Sequence, residues 1–338
     1  MGSNRGSARR RGRELTFVAA AVSKHYADWY ERVAPDLTGA GLWLRGGEIN
    51  TLPPSEYDAR PLRVAWVRLS AYEDAAESFT HALLYQIAAQ TPGVFPDLAY
   101  LPPAHDAAIF ERDRVPWIIG TQTKRGPDGF DLIGLSNSVV QEILNVPHLL
   151  SRSGIPLGKA ERMARTDVPL VILRGANALH TSALWGPDPM VDGVFVGESH
   201  TAVRALLEIC RDAKSECRPK SDTLARLSED VPGFFEPDRP GRPVRRAAAR
   251  DLALEPAPWS APIPHLAGRL GRGHLPISEG CPCYCSFCAE GWERKPYRER
   301  PAHKLLADAA AVKAGMAAES IELYSFNFNM HSEIHTVV

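Results

Sequence analysis

Cys281, Cys285 and Cys288 lie in the run Gly280-Cys-Pro-Cys-Tyr-Cys-Ser-Phe-Cys-Ala289, a Cys-x3-Cys-x2-Cys spacing. Three thiolates this close together exceed what a disulfide needs and fall one short of a closed structural zinc site. They suit a cubane iron–sulfur cluster in which one iron keeps a position for a ligand other than protein. That open position separates a reactive centre from a structural staple. A fourth thiol, Cys283, sits inside the triplet and leaves a four-cysteine zinc knot as the alternative. Zinc sites usually take two cysteine pairs separated by a dozen or more residues, and four crowded thiols would contort the backbone to close one tetrahedron. A disulfide among them would be damage or redox chemistry. The expectation is an iron–sulfur loop with Cys283 as a bystander.

The flanking elements agree with that reading. His274-Leu-Pro-Ile-Ser-Glu-Gly280 reads as a strand running into a loop. A basic loop follows the cysteines, and then Ala302–Gly315, in which Leu305, Leu306, Ala309 and Val312 fall on one helical face. Glu319-Ser-Ile-Glu-Leu-Tyr-Ser325 is the next strand. Strand, cluster loop, helix, strand is the opening unit of a parallel β/α barrel, with its chemistry at the carboxyl ends of the strands. The cysteine spacing resembles that of the radical S-adenosylmethionine (SAM) enzymes. The resemblance implies that the free iron chelates the amino and carboxylate groups of SAM. One electron from the cluster then breaks a carbon–sulfur bond to give a 5′-deoxyadenosyl radical. It also implies that Phe287 lies against the adenine, a role compatible with ordinary packing over a cluster. Ser325, Asn327 and Asn329 leave the second strand on the side where the family holds the methionine moiety, although polar residues follow most strands.

Composition narrows the class. At 338 residues and 44% hydrophobic content, the chain can bury at least two cores. A formal net charge of −1 supplies no global field toward nucleic acid or membrane. No apolar run approaches the roughly 18 residues that span a bilayer, and no signal peptide is recognisable. Six cysteines, four of them clustered, argue for a reducing compartment and a metal site, so a cytoplasmic location is expected. Cys210 and Cys217 read as plain thiols. The basic stretch Arg5–Arg13 reads as a disordered tail, with an RNA-contacting arm as its minority reading.

Ahead of the cysteines, strand-like and helix-like segments alternate from 61 to 215, which predicts an open parallel sheet flanked by helices. Leu62–Leu69, Phe95–Leu101, Phe130–Leu135, Pro169–Leu173 and Val191–Val196 read as strands. Ala75–Ala89, Val139–Ser151 and Thr201–Arg211 read as helices. The strands end in small or polar residues: Ser70 after the first, Ser136 and Ser138 after the third, Gly175 after the fourth, Gly197 and Glu198 after the fifth. Such ends line the crevice where open α/β sheets bind nucleotide-like ligands. Ordinary turn chemistry accounts for about half of these features by itself.

This succession resembles the cobalamin-binding domain that precedes the catalytic barrel in one large group of radical SAM proteins, and within it an incompletely characterised subfamily. The resemblance runs from about Trp43 to the last residue. It includes Gly46-Gly-Glu-Ile-Asn50, Asp131-Leu-Ile-Gly-Leu-Ser136, Ser153-Gly-Ile-Pro-Leu157, Gly193-Val-Phe-Val-Gly-Glu198 and Tyr297-Arg-Glu-Arg300. It implies cobalamin as a candidate further cofactor. Two departures bear on it. The loop after the first strand, Ser70-Ala-Tyr-Glu-Asp74, lacks the histidine of a cobalt-ligating Asp-x-His-x-x-Gly motif, and His81 reads as a helix-face residue. Arg174-Gly175 stands where relatives tend to carry Gly-Gly; such an arginine would either crowd the corrin or pair with the phosphate of its nucleotide tail.

Residues 216–272, rich in Pro, Arg and Asp, read as an inter-domain linker with solvated charges. The expected organisation is therefore a tail and leader over 1–42, a cobalamin-binding-like Rossmann domain over 43–215, this linker, and the start of a radical SAM partial (β/α) barrel over 273–338. Only two barrel strands precede Val338 where the family typically has six, so a fragment, or a partner chain completing the barrel, is expected. The resemblance implies a radical SAM enzyme with a 4Fe–4S cluster and SAM, an electron donor such as flavodoxin or ferredoxin, and methyl transfer if cobalamin is bound. The alternatives are a non-catalytic or regulatory zinc or iron–sulfur protein, and a degenerate cobalamin-binding module. The substrate is not legible.

Overall fold

The computed structural model describes residues 25–75, 78–239, 243–266, 268 and 270–338. The basic stretch Arg5–Arg13, and with it the RNA-contact expectation, lies outside the described residues. Six strands form the main sheet: β1 (Leu62–Arg68), β2 (Val94–Tyr100), β3 (Leu132–Ser136), β4 (Leu170–Arg174), β5 (Gly193–Phe195) and β6 (Phe234–Phe235). Their order is β2-β1-β3-β4-β5-β6, parallel from β2 through β5, with β6 antiparallel at the edge. This is a Rossmann-like α/β fold, as the alternating pattern predicts. From β1 the chain first adds β2 on one side and then β3 on the other. The carboxyl ends of β1 and β3 consequently flank a topological switch point, where such sheets open a crevice.

Side chains alternate along a strand, so each central strand feeds both faces of the sheet. Leu62, Val64 and Trp66 join Leu132, Leu170 and Ile172 on one face, under helices Phe79–Ala89 and His200–Ser215. Ala65, Val67, Ile133, Leu135, Val171 and Leu173 face the other way, against Val146, Leu149 and Leu150 of helix Asn145–Arg152. Burial on both faces explains why these strands read as continuous apolar runs.

Three segments differ from the sequence expectation. Residues 216–272 are more than a linker: helix Lys220–Asp230 buries Leu224 and Leu227, and β6 pairs with β5. The charges are engaged as well. Lys220 Nζ donates to the carbonyls of Arg162 at 3.0 Å, Arg165 at 2.6 Å and Val168, and Lys159 Nζ meets Glu236 and Asp238, each at 2.7 Å. Proline-rich composition conceals a helix whose apolar contacts are few. The described part of the leader also packs: Trp29 stacks edge-on against Phe110 at 4.8 Å, and Asp106 accepts from Thr38 N at 2.9 Å and Trp43 Nε1 at 2.7 Å. Those partners sit on helix Ala104–Asp113, which was not anticipated between β2 and β3. Finally, the helix expected over 139–151 is split into a 3-10 turn, Val140–Leu144, and helix Asn145–Arg152.

Beyond this sheet come β7 (Arg272–Pro276), β8 (Ser278–Glu279), β9 (Arg298–Glu299) and β10 (Ser320–Tyr324). β7 and β10 are parallel neighbours, with helix Ala302–Gly315 between them in sequence, as expected for the start of a β/α unit. The two halves are joined by direct contacts. Asn50 Nδ2 donates to Ala261 O at 3.1 Å and Gly315 O at 3.0 Å. Phe79 lies 4.7 Å from the Tyr324 ring, and Gln86 Nε2 donates to Ala257 O at 3.0 Å. Among the described residues no helix is long and apolar enough to cross a membrane.

Candidate functional site

The cysteine loop is closed at its base by the antiparallel pairing of β8 with β9. Inside it, three donors fix the loop. Lys295 Nζ bonds the carbonyls of Cys281 at 2.5 Å and Cys283 at 2.6 Å while lying 3.9 Å over the Tyr284 ring. Trp292 Nε1 donates to Cys285 O at 2.9 Å. The Gly291 N–H donates to Cys288 Sγ at 3.3 Å, which places Cys288 as the cap of the short helix Ala289–Glu293. Cys285 is exposed and the other three cysteines half-buried, all as free thiols. Among the described residues no group of three or more His, Cys, Asp or Glu side chains converges where a metal could be held, so the three thiols share the loop without converging.

Gly291 tests whether the loop suits a cluster. A Cβ there would stand 3.3 Å from Cys288 Sγ and 3.9 Å from the Cβ of Cys281. Two of the three thiol-bearing residues therefore face one glycine, whose missing side chain leaves room between them. The soft donor set and this cradle fit an iron–sulfur group. Phe287 is 89% exposed and packs on nothing that would dedicate it to the core. Ser325 Oγ pairs with Ser278 Oγ at 2.7 Å, and Asn327 Nδ2 reaches Cys283 Sγ at 3.3 Å. Asn327 thus holds the Cys283 thiol, a contact between residues 44 apart that spacing could not reveal.

The residues expected at the strand ends meet, with one exception, in a cavity of about 150 Å³. Ser136, Ser138, Gly175, Gly197 and Glu198 line it, together with Arg68, His81, Arg174, Arg246, Glu279, Glu293 and Arg294. Ser70 does not; its hydroxyl is bonded to Glu142, which also takes Arg68 at 3.3 Å. Ser138 accepts from Arg68 as well. The two glycines lie against other backbone. Gly175 has φ +119°, and a Cβ would fall 2.1 Å from Asn137 O; Gly197 has φ +146°, and a Cβ would fall 2.3 Å from Ala247 O. At both positions the close approach of the chain to itself requires glycine. Glu198 is a junction: its carboxylate binds Arg246 at 2.5 Å and Arg298 of β9 at 2.7 Å, tying the end of β5 to the cysteine segment. His81 is buried with both ring nitrogens unpartnered, and burial followed by the charges of Arg68 and Arg174 holds it neutral.

Comparison with known proteins accords with this arrangement. Residues 80–237 match the family described as radical SAM proteins, N-terminal. This segment is similar to the N-terminal region of radical SAM proteins. No curated protein matches the chain. Among solved structures, the chain is similar to the radical SAM methyltransferase TsrM from Kitasatospora setae with tryptophan substrate and the SAM analogue aza-SAM bound. That likeness has 14% identity and a TM-score of 0.46, over 81% of this chain and 49% of that one. The same enzyme with cobalamin and a [4Fe–4S] cluster bound also matches, at 14% identity and a TM-score of 0.46, over 81% and 50%. The chain spans about half the length of these structures.

Proposed function

We propose that the chain is the cluster-bearing part of a radical SAM enzyme, with Cys281, Cys285 and Cys288 holding a 4Fe–4S cluster that binds SAM. The observation that carries this reading is the cysteine loop itself, following a domain that matches the radical SAM N-terminal family. When bound, the cluster supplies the electron that breaks a carbon–sulfur bond of SAM; a flavodoxin or ferredoxin is the proposed source of that electron. The chain's own residues do the positioning. Lys295 bonds the carbonyls of Cys281 and Cys283 and so fixes where those side chains start. Gly291 contributes both an N–H to Cys288 Sγ and the space beside it. Hydrogen bonds to ligand sulfurs are among the levers that tune such centres. Exposed Phe287 offers a free ring face for the adenine, and Ser325 and Asn327 offer polar groups at the end of β10 for the methionine moiety.

The space at the strand ends is small for a whole cobalamin. Pockets for drug-sized ligands run to roughly 300–1,000 Å³, against about 150 Å³ here. No methyl-transfer step is therefore assigned. Anaerobic reconstitution with iron and sulfide, followed by measurement of 5′-deoxyadenosine from SAM and a reductant, tests the reading. Near four irons per chain with 5′-deoxyadenosine formation is expected for the cubane. Stoichiometric zinc without SAM cleavage would refute it and favour a non-catalytic metal protein.

A further inference from the structure

The cations that follow the cysteines fall into two kinds. Arg294 has Glu290 at 3.7 Å, Arg298 has Glu198 at 2.7 Å and Arg300 has Asp308 at 2.7 Å. Lys295 ends on the cysteine loop instead, and among the described residues it forms no ion pair. Its Nζ meets Cys281 O at 2.5 Å and Cys283 O at 2.6 Å, and it lies 3.9 Å over the Tyr284 ring. An ammonium carries three N–H groups and no acceptor. Two carbonyls and a ring face therefore engage it on every side, and its position is fixed. The ring is braced in turn: Tyr284 meets Trp292 edge-on at 5.1 Å, and Trp292 Nε1 holds Cys285 O at 2.9 Å.

This placement puts a positive charge beside the thiols whatever their rotamers. The carbonyl oxygen and the sulfur of one cysteine are linked through four bonds and stand no more than roughly 5 Å apart. With Nζ 2.5 Å from Cys281 O, the ammonium lies within roughly 7–8 Å of the Cys281 sulfur. That is no more than the Debye length of about 8 Å at physiological salt. Lys295 is also half-buried, so screening does not erase its charge. Three thiolates around a doubly charged cubane core leave a net negative charge, which an added electron increases. A fixed cation at this range favours the electron-rich form, and net charge is one of the levers on the potential of such clusters.

Resting on the cluster reading above, we propose that Lys295 is the counter-charge of that cluster. Its ammonium, held on the Cys281 and Cys283 carbonyls, raises the cluster's reduction potential and so eases entry of the single electron that the donor protein supplies.

The test is a potentiometric titration of the anaerobically reconstituted full chain, followed by electron paramagnetic resonance, for wild type, Lys295→Arg, Lys295→Gln and Lys295→Met. Iron and sulfide content is measured on each. Lys295→Gln still offers two N–H groups to the carbonyls but no charge. It should keep wild-type iron while its potential falls by about 59 mV or more, a tenfold loss of reduced cluster at a fixed potential for one electron. Lys295→Met should fall likewise, and Lys295→Arg should stay near wild type. A wild-type or higher potential in either neutral variant carrying full iron overturns the proposal, as does an equal fall in Lys295→Arg; the lysine then only staples the loop. Should both neutral variants lose the cluster, loading decides: retention in Lys295→Arg supports the counter-charge, and loss in all three overturns it. A wild-type chain that holds zinc or no cluster defeats the underlying reading and this proposal with it, an outcome told apart by metal content alone.

Discussion

Replacing Gly291 by alanine separates the cluster from the fold. The added methyl would lie 3.3 Å from Cys288 Sγ, tight enough that the neighbour must yield by a few tenths of an ångström. Metal–ligand distances tolerate only about ±0.2 Å. The displacement thus exceeds what one of three cluster ligands can absorb, and it also disturbs the N–H that Gly291 gives to that sulfur. Losses of this supporting kind typically cost about 10–100-fold in metal affinity. The backbone, by contrast, is unharmed: Gly291 lies inside helix Ala289–Glu293 and is not among the glycines with positive φ. Alanine there is neutral or better by up to about 1 kcal/mol. The expected result is an unchanged or slightly raised Tm for the iron-free chain, with clearly less iron and sulfide retained after anaerobic reconstitution and gel filtration. Wild-type iron content in Gly291→Ala would refute the idea that this glycine makes room between Cys281 and Cys288.

Other expectations follow from the same geometry. Cys285→Ala should abolish the visible cluster absorbance while Cys283→Ala spares it, since the Cys283 thiol is held by Asn327; equal loss in both would undo the ligand assignment. Arg162 and Asp192 are both fully buried and joined at 2.9 Å, so Arg162→Met should destabilise the front sheet by about 3–5 kcal/mol in urea unfolding. A loss under about 1 kcal/mol would mean that the pair contributes no more than a solvent-exposed one. Burial would raise the Glu255 carboxyl, but the hydrogen bond and charge of His200, whose Nδ1 lies 3.0 Å away, leave it below the usual range. A depressed carboxyl contributes stability above its unfolded value of about 4.3 and loses it as pH falls further. Glu255→Gln should therefore show a shallower fall of Tm between about pH 5 and pH 3 than wild type; parallel profiles would contradict the pairing.

How much of this was legible in the sequence depends on how local each feature is. The five parallel strands were legible because burial on both faces writes them as apolar runs, and helix Ala302–Gly315 was legible from the spacing of Leu305, Ala309 and Val312. The helix Lys220–Asp230 was not: two leucines in a polar, proline-flanked segment look the same whether they pack or dangle. Glu198 was picked out as a strand-end residue, but its work as a junction was hidden, since Arg246 and Arg298 lie 48 and 100 residues further on. That Gly175 and Gly197 lie against Asn137 and Ala247 was not legible, because the sequence does not say which backbone a glycine lies against.

By itself, the sequence determined the chemistry on offer: three thiols at a spacing short enough to share one metal group, behind an alternating α/β chain. Chain-local spacing settles such matters because a few bonds limit how far the groups can separate. The tertiary structure alone decided which charges are paid and which are left over. Arg68, Arg246 and Arg294 find carboxylates and Arg174 does not. An ion pair is set by distance in space and by the water excluded around it, and neither is written in the order of residues.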